Sequence, residues 1–448
     1  MRSRAPKGTQ DLLFEAAGAW SLMQQVADAV FGSYGYGRVD TPMFEQVDVF
    51  VHGIGTSTDV VSKEMFTVLS PDAYEKVASG SAETLKNDQR LALRPEATAG
   101  FVRAAIEHNL LPQGGAPVKA WYAGSMFRAE RPQRGRLREF RQIGAECLGS
   151  TDPLVDAEMI AMAVRFFDEL GFDRENVTLL VNSMGDDACR PAYRDSVRDY
   201  ILDHVGDLCA TCNTRAETNP LRAFDCKNPD CKQVMEGAPR ITDVLCDDCK
   251  EHHAHVLAYL DILGIEYTED ARLVRGLDYY TRTVFEFQTD AGLGSQNALG
   301  GGGRYDKLMS IVGGRDEPGI GFALGFDRIL LALEAQDVPL SAELGSDVFV
   351  AQVDGSTAQR ALVLMEELRD AGLAVESDVQ SRSLKSQFKL AGKKEVPFVV
   401  VLGPDELESG NVTLRDMEAG EERSVPREEL AETILRAFMD RAGLEELE

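Results

Sequence analysis

An α+β domain followed by a smaller α/β domain is the fold class that this sequence predicts, and three observations carry it. Two alternating, strand-like runs joined by the loop RPQRG occupy residues 121–147. A strand-rich, Gly-rich stretch fills about 271–325. Beyond the polar segment QDVPLSAELGS (336–346), strand-like and helix-like runs alternate over the last ~100 residues, the pattern of a small α/β unit.

The elements follow in order. Apolar residues recur at helical spacing over about 14–31, after which short strands and Gly/Pro turns alternate up to about 150. A second helix covers 155–170 through Val155, Met159, Met162 and Phe166. A Cys-rich stretch, about 204–255, contains Asn219-Pro220 and Asn228-Pro229 and reads as an insertion, with a helix after it at about 255–263. Another helix, 326–335, closes the first part. In the second part DVFVAQVD, AVESD and PFVVVLG are strand-like, whereas 356–371, SLKSQFKLAGKK and 427–442 are helical. The expected domains are 1–335, with the insertion at about 185–255, and 346–448.

Composition narrows the function. The 448 residues carry a net charge of −27, which opposes non-specific attraction to membranes or polyanions, so a nucleic-acid partner must be met by local basic patches. No apolar run approaches the ~18 residues of a membrane span, and MRSRAPKGTQDLLFE has no apolar segment behind its basic residues. No membrane partner is expected. Six of eight cysteines fall between Cys209 and Cys249, while Cys147 and Cys189 stand alone. That clustering is unlike a secreted disulfide framework and fits a reduced, cytoplasmic protein.

Strand alternation singles out a ligand face within WYAGSMFRAERPQRGRLREFRQIGAEC. Trp121, Ala123, Ser125 and Phe127 look inward, leaving Tyr122, Gly124, Met126, Arg128 and Glu130 on the other side. On the second strand Arg136, Arg138, Phe140, Gln142, Gly144 and Glu146 share a face, with Glu139 and Arg141 opposite. Residues 128–141 hold six Arg against two Glu. A guanidinium fork suits phosphate oxygens and an aromatic ring beside it suits a base, although exposed charged hairpins show the same alternation. Two further segments belong with these: LVRGLDYYTRTVFEF (273–287), and PGIGFALGFDRILLALE (318–334), whose Gly319, Gly321 and Ala323 leave a flat floor before Asp327 and Arg328. GGGGR (300–304) lacks the spacing of a phosphate-binding loop but permits close approach of backbone or ligand.

In order and spacing these fragments resemble the class II aminoacyl-tRNA synthetases, specifically the histidine–tRNA ligase family. TPMFEQVDVF (41–50) with TDVVSKEMF (58–66) looks like motif 1, and ALRPEATAG (92–100) like the histidine-binding segment. FRAERPQRGRLREFRQIGAE (127–146) looks like motif 2, LVRGLDYYTRTVFE (273–286) and LGGGGRYDKL (299–308) like the two histidine-specific blocks, and GIGFALGFDR (319–328) like motif 3. The resemblance implies an antiparallel six-stranded catalytic sheet with flanking helices, plus a C-terminal α/β anticodon-binding domain. It implies ATP-dependent attachment of L-histidine to tRNA(His) through histidyl-adenylate, with Mg²⁺ bridging the phosphates and motif 1 pairing two chains as a homodimer, Pro42 and the strand around Met43–Phe50 lying near the interface. By the same resemblance Arg128 holds the α-phosphate, Glu130 the adenine amino group, Phe140 the adenine ring and Arg328 the γ-phosphate side. Glu96, Thr98 and Gln142 bind the α-amino group; Glu146 and Tyr280 the imidazole, with Tyr279 nearby; Arg275 lies between carboxylate and α-phosphate.

Two rival functions come from other classes. A non-catalytic, histidine-binding regulatory paralogue generally loses the RGLDYY block and the anticodon domain, and this chain keeps both. A structural RNA- or protein-binding module leaves the set of ligand-facing residues unexplained. The cysteines are spaced C-x2-C-x13-C-x4-C-x14-C-x2-C, followed by His252, His253 and His255. The two C-x2-C pairs resemble the knuckles of a structural zinc ribbon, so a structural Zn²⁺ stands against the alternative of unliganded thiols, with Cys209, Cys212, Cys226 and Cys231 preferred as its ligands. Lys385, Lys389 and Lys393 lie on one helical face, opposite Leu384, Phe388 and Ala391, where a tRNA backbone would meet them.

Overall fold

The computed structural model describes residues 3–55, 58–81, 85–294, 297–338, 340 and 345–442, so Pro339 and residues 341–344 of the expected polar segment lie outside it. The chain divides into two units, Met1–Ala342 and Glu343–Glu448. The strands of the first are β1 (Gly37–Arg38), β2 (Phe44–Gln46), β3 (Thr67–Val68), β4 (Leu91–Leu93), β5 (Val118–Phe127) and β6 (Glu139–Leu148). They continue as β7 (Thr178–Ser183), β8 (Thr268–Glu269), β9 (Thr281–Gln288), β10 (Ala298–Arg304) and β11 (Gly319–Gly325). The main sheet runs β1-β5-β6-β11-β10-β9-β7-β8. Its six inner strands are antiparallel throughout. Two-residue parallel strands are added at each edge, so the sheet has eight strands around the six expected.

Strand alternation sets what this sheet buries. Trp121, Ala123, Ile143, Ala145 and Cys147 pack on helices Phe14–Ser33 and Pro153–Glu169 through Met23, Phe31, Met159 and Phe166. Each large apolar side chain among them, such as Ile143, Met23, Phe31 or Phe166, contributes about 1.5–3 kcal/mol on leaving water. The opposite face of β5 and β6 is left for a ligand, with Gly124 opposite Gln142 and Met126 opposite Phe140. The four glycines of β10 let it lie between β9 and β11: a side chain at Gly302 would run into the backbone of Gly321, and one at Gly301 would come 3.0 Å from Arg275 Nη1. Arg304 ends that strand fully buried, bonded to Asp156 of helix Pro153–Glu169, which also meets His252 Nε2 at 3.0 Å. The carboxyl of Asp156 is held low: burial alone would raise it, but the hydrogen bonds and charges of His252 and Arg304 more than offset this.

Two expectations change, and one arrangement is new. The motif 1 run does not form one strand over Met43–Phe50; β2 stops at Gln46 and a helix, Val47–Ile54, begins. Its helical period brings Phe50 and Ile54 together into a pocket with Val60, Ala92 and Ala99, whereas a strand would hold the two about 13 Å apart. The helix expected at 255–263 starts at Asp247, with two aspartates in its first turn favouring the helix N-terminus. No strand occurs between Ser183 and Thr268 among the described residues, and the insertion is not a separate body. Its Tyr193, Val197 and Cys249 share a hydrophobic core with Tyr279, Tyr280 and Phe101.

The second unit is a five-stranded sheet, β13-β12-β14-β15-β16, of β12 (Val348–Gln352), β13 (Val375–Ser377), β14 (Phe398–Leu402), β15 (Asn411–Asp416) and β16 (Glu422–Pro426). β12, β13 and β14 pair in parallel as α/β alternation predicts, whereas β15 and β16 form an antiparallel hairpin the sequence did not reveal. Helix Leu384–Lys393 turns Leu384, Phe388 and Ala391 to the sheet and leaves Lys385, Lys389 and Lys393 exposed.

Candidate active site

A cavity of about 480 Å³ opens on the free face of β5, β6 and β11 and collects Glu96, Thr98, Arg128, Glu130, Phe140, Gln142, Arg275, Tyr279, Tyr280 and Arg328. Ten of the eleven residues expected around ATP and histidine therefore border one space. The eleventh, Glu146, lies directly beneath, 1% exposed. Each is delivered by a different local reason. Arg128 follows β5 at the point where the chain leaves the sheet; its Nε donates to Pro95 O at 3.0 Å and its guanidinium sits 5.2 Å from the Phe140 ring centre. Arg328 leaves the first turn of helix Phe326–Glu334 and donates to Gly135 O (2.9 Å) and Ala298 O (2.7 Å). Glu130 is buried in an ion pair with Arg136.

Arg275 Nη1 meets Glu286 of β9 at 2.5 Å, and the guanidinium lies 5.9 Å from the Tyr280 ring centre. Burial opposes its charge, but Glu286 and the tyrosines outweigh that and hold it ionised. Gln142 Oε1 is buried without a partner and points to a donor that a ligand would bring. Glu96 does not wait free for an ammonium: its two oxygens accept from the amides of Thr98 (2.7 Å) and Ala99 (3.0 Å), at the start of helix Thr98–Glu107. Burial still raises its carboxyl above the ordinary value, with those amides pulling the other way.

Glu146 is the hub of a hydroxyl cluster. It accepts from Tyr305 (2.5 Å), Thr98 (2.6 Å) and Tyr122 (3.3 Å), all three of which line the cavity. Burial pushes its carboxyl from 4.5 to about 8; the Thr98 and Tyr305 hydroxyls lower it, nearby Glu96 raises it. Gly321 is required beside it, because a Cβ there would collide with the carboxylate. Burial also keeps the phenols of Tyr122, Tyr279 and Tyr305 well above their ordinary value, so they serve as neutral hydroxyls.

Several lining residues escaped the sequence. Tyr305 had its signal, since it directly follows GGGGR. Arg215, Arg222 and Lys227 come from the Cys-rich insertion, and Arg222 bonds Gly276 O in the loop of Arg275; only tertiary packing brings them there. Arg141 borders the cavity beside Asp327 although its strand position faces away, because a long side chain near a strand end is not confined to one face.

The cysteines form two groups. The Sγ atoms of Cys209, Cys212, Cys226 and Cys231 lie within 4.8 Å of one another, Cys209 and Cys226 at 3.9 Å. His252 and His253 are engaged elsewhere, with Asp156 and with Glu269 at 3.2 Å. Cys189, expected alone, joins Asp186, Cys246 and Cys249 in the second group.

An antiparallel sheet whose open face combines arginines, an aromatic and a carboxylate–hydroxyl cluster is the arrangement expected of a class II aminoacyl-tRNA synthetase catalytic unit. Comparison with known proteins gives the particular family. Residues 8–329 match the family described as histidyl-tRNA synthetase, and 347–437 match the anticodon binding domain. The chain is 44% identical over 432 residues to the histidine–tRNA ligase of Desulforamulus reducens, covering 96% of this chain and 98% of that protein. It is 43% identical over 439 residues to that of Streptococcus sanguinis, covering 98% and 99%. The apo histidyl-tRNA synthetase of S. aureus superposes with a TM-score of 0.78 at 34% identity, over 97% of this chain and 100% of that one. The chain belongs to the histidyl-tRNA synthetase family.

Proposed function

We propose a residue-level reading of the activity that comes with this family, ATP-dependent attachment of histidine to tRNA(His). A histidine carboxylate oxygen attacks the α-phosphorus of ATP, the bond to the bridging oxygen breaks, and pyrophosphate leaves. A ribose hydroxyl of the terminal tRNA adenosine then takes the histidyl group and AMP departs. Two reacting anions ~4 Å apart repel by roughly 4 kcal/mol at an effective dielectric of ~20. Arg128 and Arg275, both on the cavity wall, offset that repulsion and meet charge developing on the phosphoryl oxygens. Arg328 holds the triphosphate end, with Phe140 and Glu130 on the adenine side. Mg²⁺ carried in with ATP would supply further neutralisation of phosphate charge beside Arg128 and Arg328.

On the histidine side, Gln142 and Thr98 receive the ammonium group. Glu96 contributes its negative field while holding the start of the helix that carries Thr98. Tyr279 and Tyr280 flank the imidazole. Glu146 acts through others: when ionised it draws the protons of Thr98, Tyr122 and Tyr305 inward, so their lone pairs face the ligand N–H groups. The observation that carries this reading is the single cavity joining both sets, with Gln142 Oε1 unpaired within it. ATP–pyrophosphate exchange measured against all twenty amino acids tests it: exchange with histidine alone is expected, and exchange with another amino acid, or none, refutes it.

The remaining parts extend the same reading. The first unit is the catalytic domain and the second the anticodon-binding domain, whose lysine stripe meets tRNA phosphates. Cys209, Cys212, Cys226 and Cys231 hold a structural Zn²⁺, since four thiols in mutual reach have the donor set and spacing of such a site. Two chains pair through β2, where Met43 (55%) and Phe44 (53%) stand exposed. Sedimentation at twice the 49.1 kDa chain mass is expected, and a 49.1 kDa particle at micromolar concentration rejects the pairing. No helix among the described residues is long and apolar enough to cross a membrane, and the clustered, free thiols fit a cytoplasmic setting.

A further inference from the structure

The pair Cys246 and Cys249 does not face the four-thiol group, so the six clustered cysteines do not build one ribbon. It faces the loop that leaves β7, 60 residues earlier in sequence. We propose that Asp186, Cys189, Cys246 and Cys249 form a second metal centre, a zinc site of three thiolates and one carboxylate, which braces the Tyr280–Arg282 segment on the histidine side of the cavity.

Geometry carries the site. Tetrahedral zinc with bonds of about 2.3 Å to sulfur and 2.0 Å to oxygen sets S···S near ~3.8 Å and S···O near ~3.5 Å. Cys189 Sγ lies 3.9 Å from Cys249 Sγ and 3.5 Å from Asp186 Oδ1, and Cys246 Sγ lies 3.7 Å from that same oxygen. All four ligand atoms lie within 4.8 Å of one another. Cys189 and Cys246 occupy the N-cap positions of helices Arg190–Asp203 and Asp247–Ile262, whose positive ends favour thiolates. The Asp186 amide donates to Cys189 Sγ at 3.3 Å. Gly185 makes the turn at φ +64°, and a Cβ there would come 2.6 Å from Cys189 Sγ, so the glycine is what lets the thiol sit where it does. Arg282 Nη2, 3.5 Å from Asp186 Oδ2, orients the carboxylate from outside, as groups behind metal ligands do. Soft, thiolate-rich tetrahedral donors select zinc over magnesium or calcium.

The same few residues hold the cavity wall. Arg190, next to Cys189, donates to Tyr280 O at 2.6 Å. Met184 N donates to Arg282 O at 2.6 Å, and Arg282 N to Gly185 O at 2.8 Å. Arg282 itself has φ +47°, a strained conformation for a side-chain-bearing residue that its surroundings must enforce. A metal joining this loop to the start of helix Asp247–Ile262 supplies that enforcement.

The decisive measurement is zinc in the full-length Cys209→Ser/Cys226→Ser protein, in which the first group is disabled, purified under reducing conditions without added metal. About one equivalent is expected, lost on adding Cys189→Ser or Cys249→Ser; below ~0.1 equivalent overturns the site. Should the double variant be insoluble, native mass spectrometry of the unaltered protein and of Cys189→Ser decides: one zinc ion fewer per chain in the variant supports the proposal, and an unchanged count overturns it. Cobalt in the double variant gives a thiolate charge-transfer spectrum that intensifies in Asp186→Cys; an unchanged spectrum places the metal elsewhere. The brace rests on the assignment of Tyr280 to histidine, whereas the metal count does not. Cys249→Ser alone should raise KM for histidine at least ~5-fold while KM for ATP stays within about 2-fold. Unchanged histidine KM after proven zinc loss removes the brace and leaves the metal site standing.

Discussion

Replacing Tyr305 by Phe removes one of three hydroxyls that hold the Glu146 carboxylate, through the 2.5 Å contact to Oε2. Glu146 already sits at about 8, so near neutral pH most ligand-free chains carry it protonated. A hydrogen bond to a charged group is worth about 1.5–3 kcal/mol, and 1.36 kcal/mol corresponds to one pH unit, so the substitution should raise the midpoint by about 1–2 units. On the proposed reading, ionised Glu146 is the form that turns the hydroxyl lone pairs toward histidine. Hence kcat/KM for histidine, measured by pyrophosphate exchange between pH 6 and 10, should climb to a plateau above about 8 and, in Tyr305→Phe, reach it about 1–2 units higher. Stability carries the opposite sign. A carboxyl whose folded value is raised contributes most below its unfolded value, about 4.5, and that contribution is lost as pH rises through about 8. Glu146→Gln should therefore gain stability at pH 9 relative to the parent, by at most about 5 kcal/mol, while losing histidine affinity. Superimposable pH profiles for parent and Tyr305→Phe would refute the coupling.

Arg275→Ala should slow single-turnover adenylate formation by at least ~10², about 2.7 kcal/mol, and affect transfer from preformed adenylate far less; activation within a few-fold of the parent contradicts the role. Arg304→Met strands the fully buried Asp156 carboxylate and should cost about 3–5 kcal/mol in urea unfolding, part of it recovered in Arg304→Met/Asp156→Asn; a neutral single variant rejects the network as described. Lys385, Lys389 and Lys393 all changed to Gln should lower the salt slope of tRNA binding by about 2 while histidine activation is unchanged, and an unaltered slope rejects phosphate contact there.

Local pattern alone marked the sheet's working face. Period-2 alternation is a local property, and it put Arg128, Glu130, Phe140 and Gln142 on the side that the structure opens to a cavity. It also placed Lys385, Lys389 and Lys393 outward, because helical period alone decides that. The hairpin β15–β16 escaped because its outer strand buries little: β16, at the sheet edge, has one buried residue, Val425. Met43–Phe50 reads as strand because Val47, Val49 and Phe50 around Asp48 fit a strand period as readily as a helical one over so short a run. What only the tertiary structure decided is pairing across long sequence separations. Tyr305 reaches Glu146 from 159 residues away, and Arg304 reaches Asp156 from 148. Spacing could group Cys209 with Cys212, and Cys246 with Cys249, but not tell which pairs share a site. That choice is made by where helix Asp247–Ile262 packs, which sets Cys249 against Cys189 and leaves Cys209 to Cys226, because a thiol's partners depend on the path of the whole backbone.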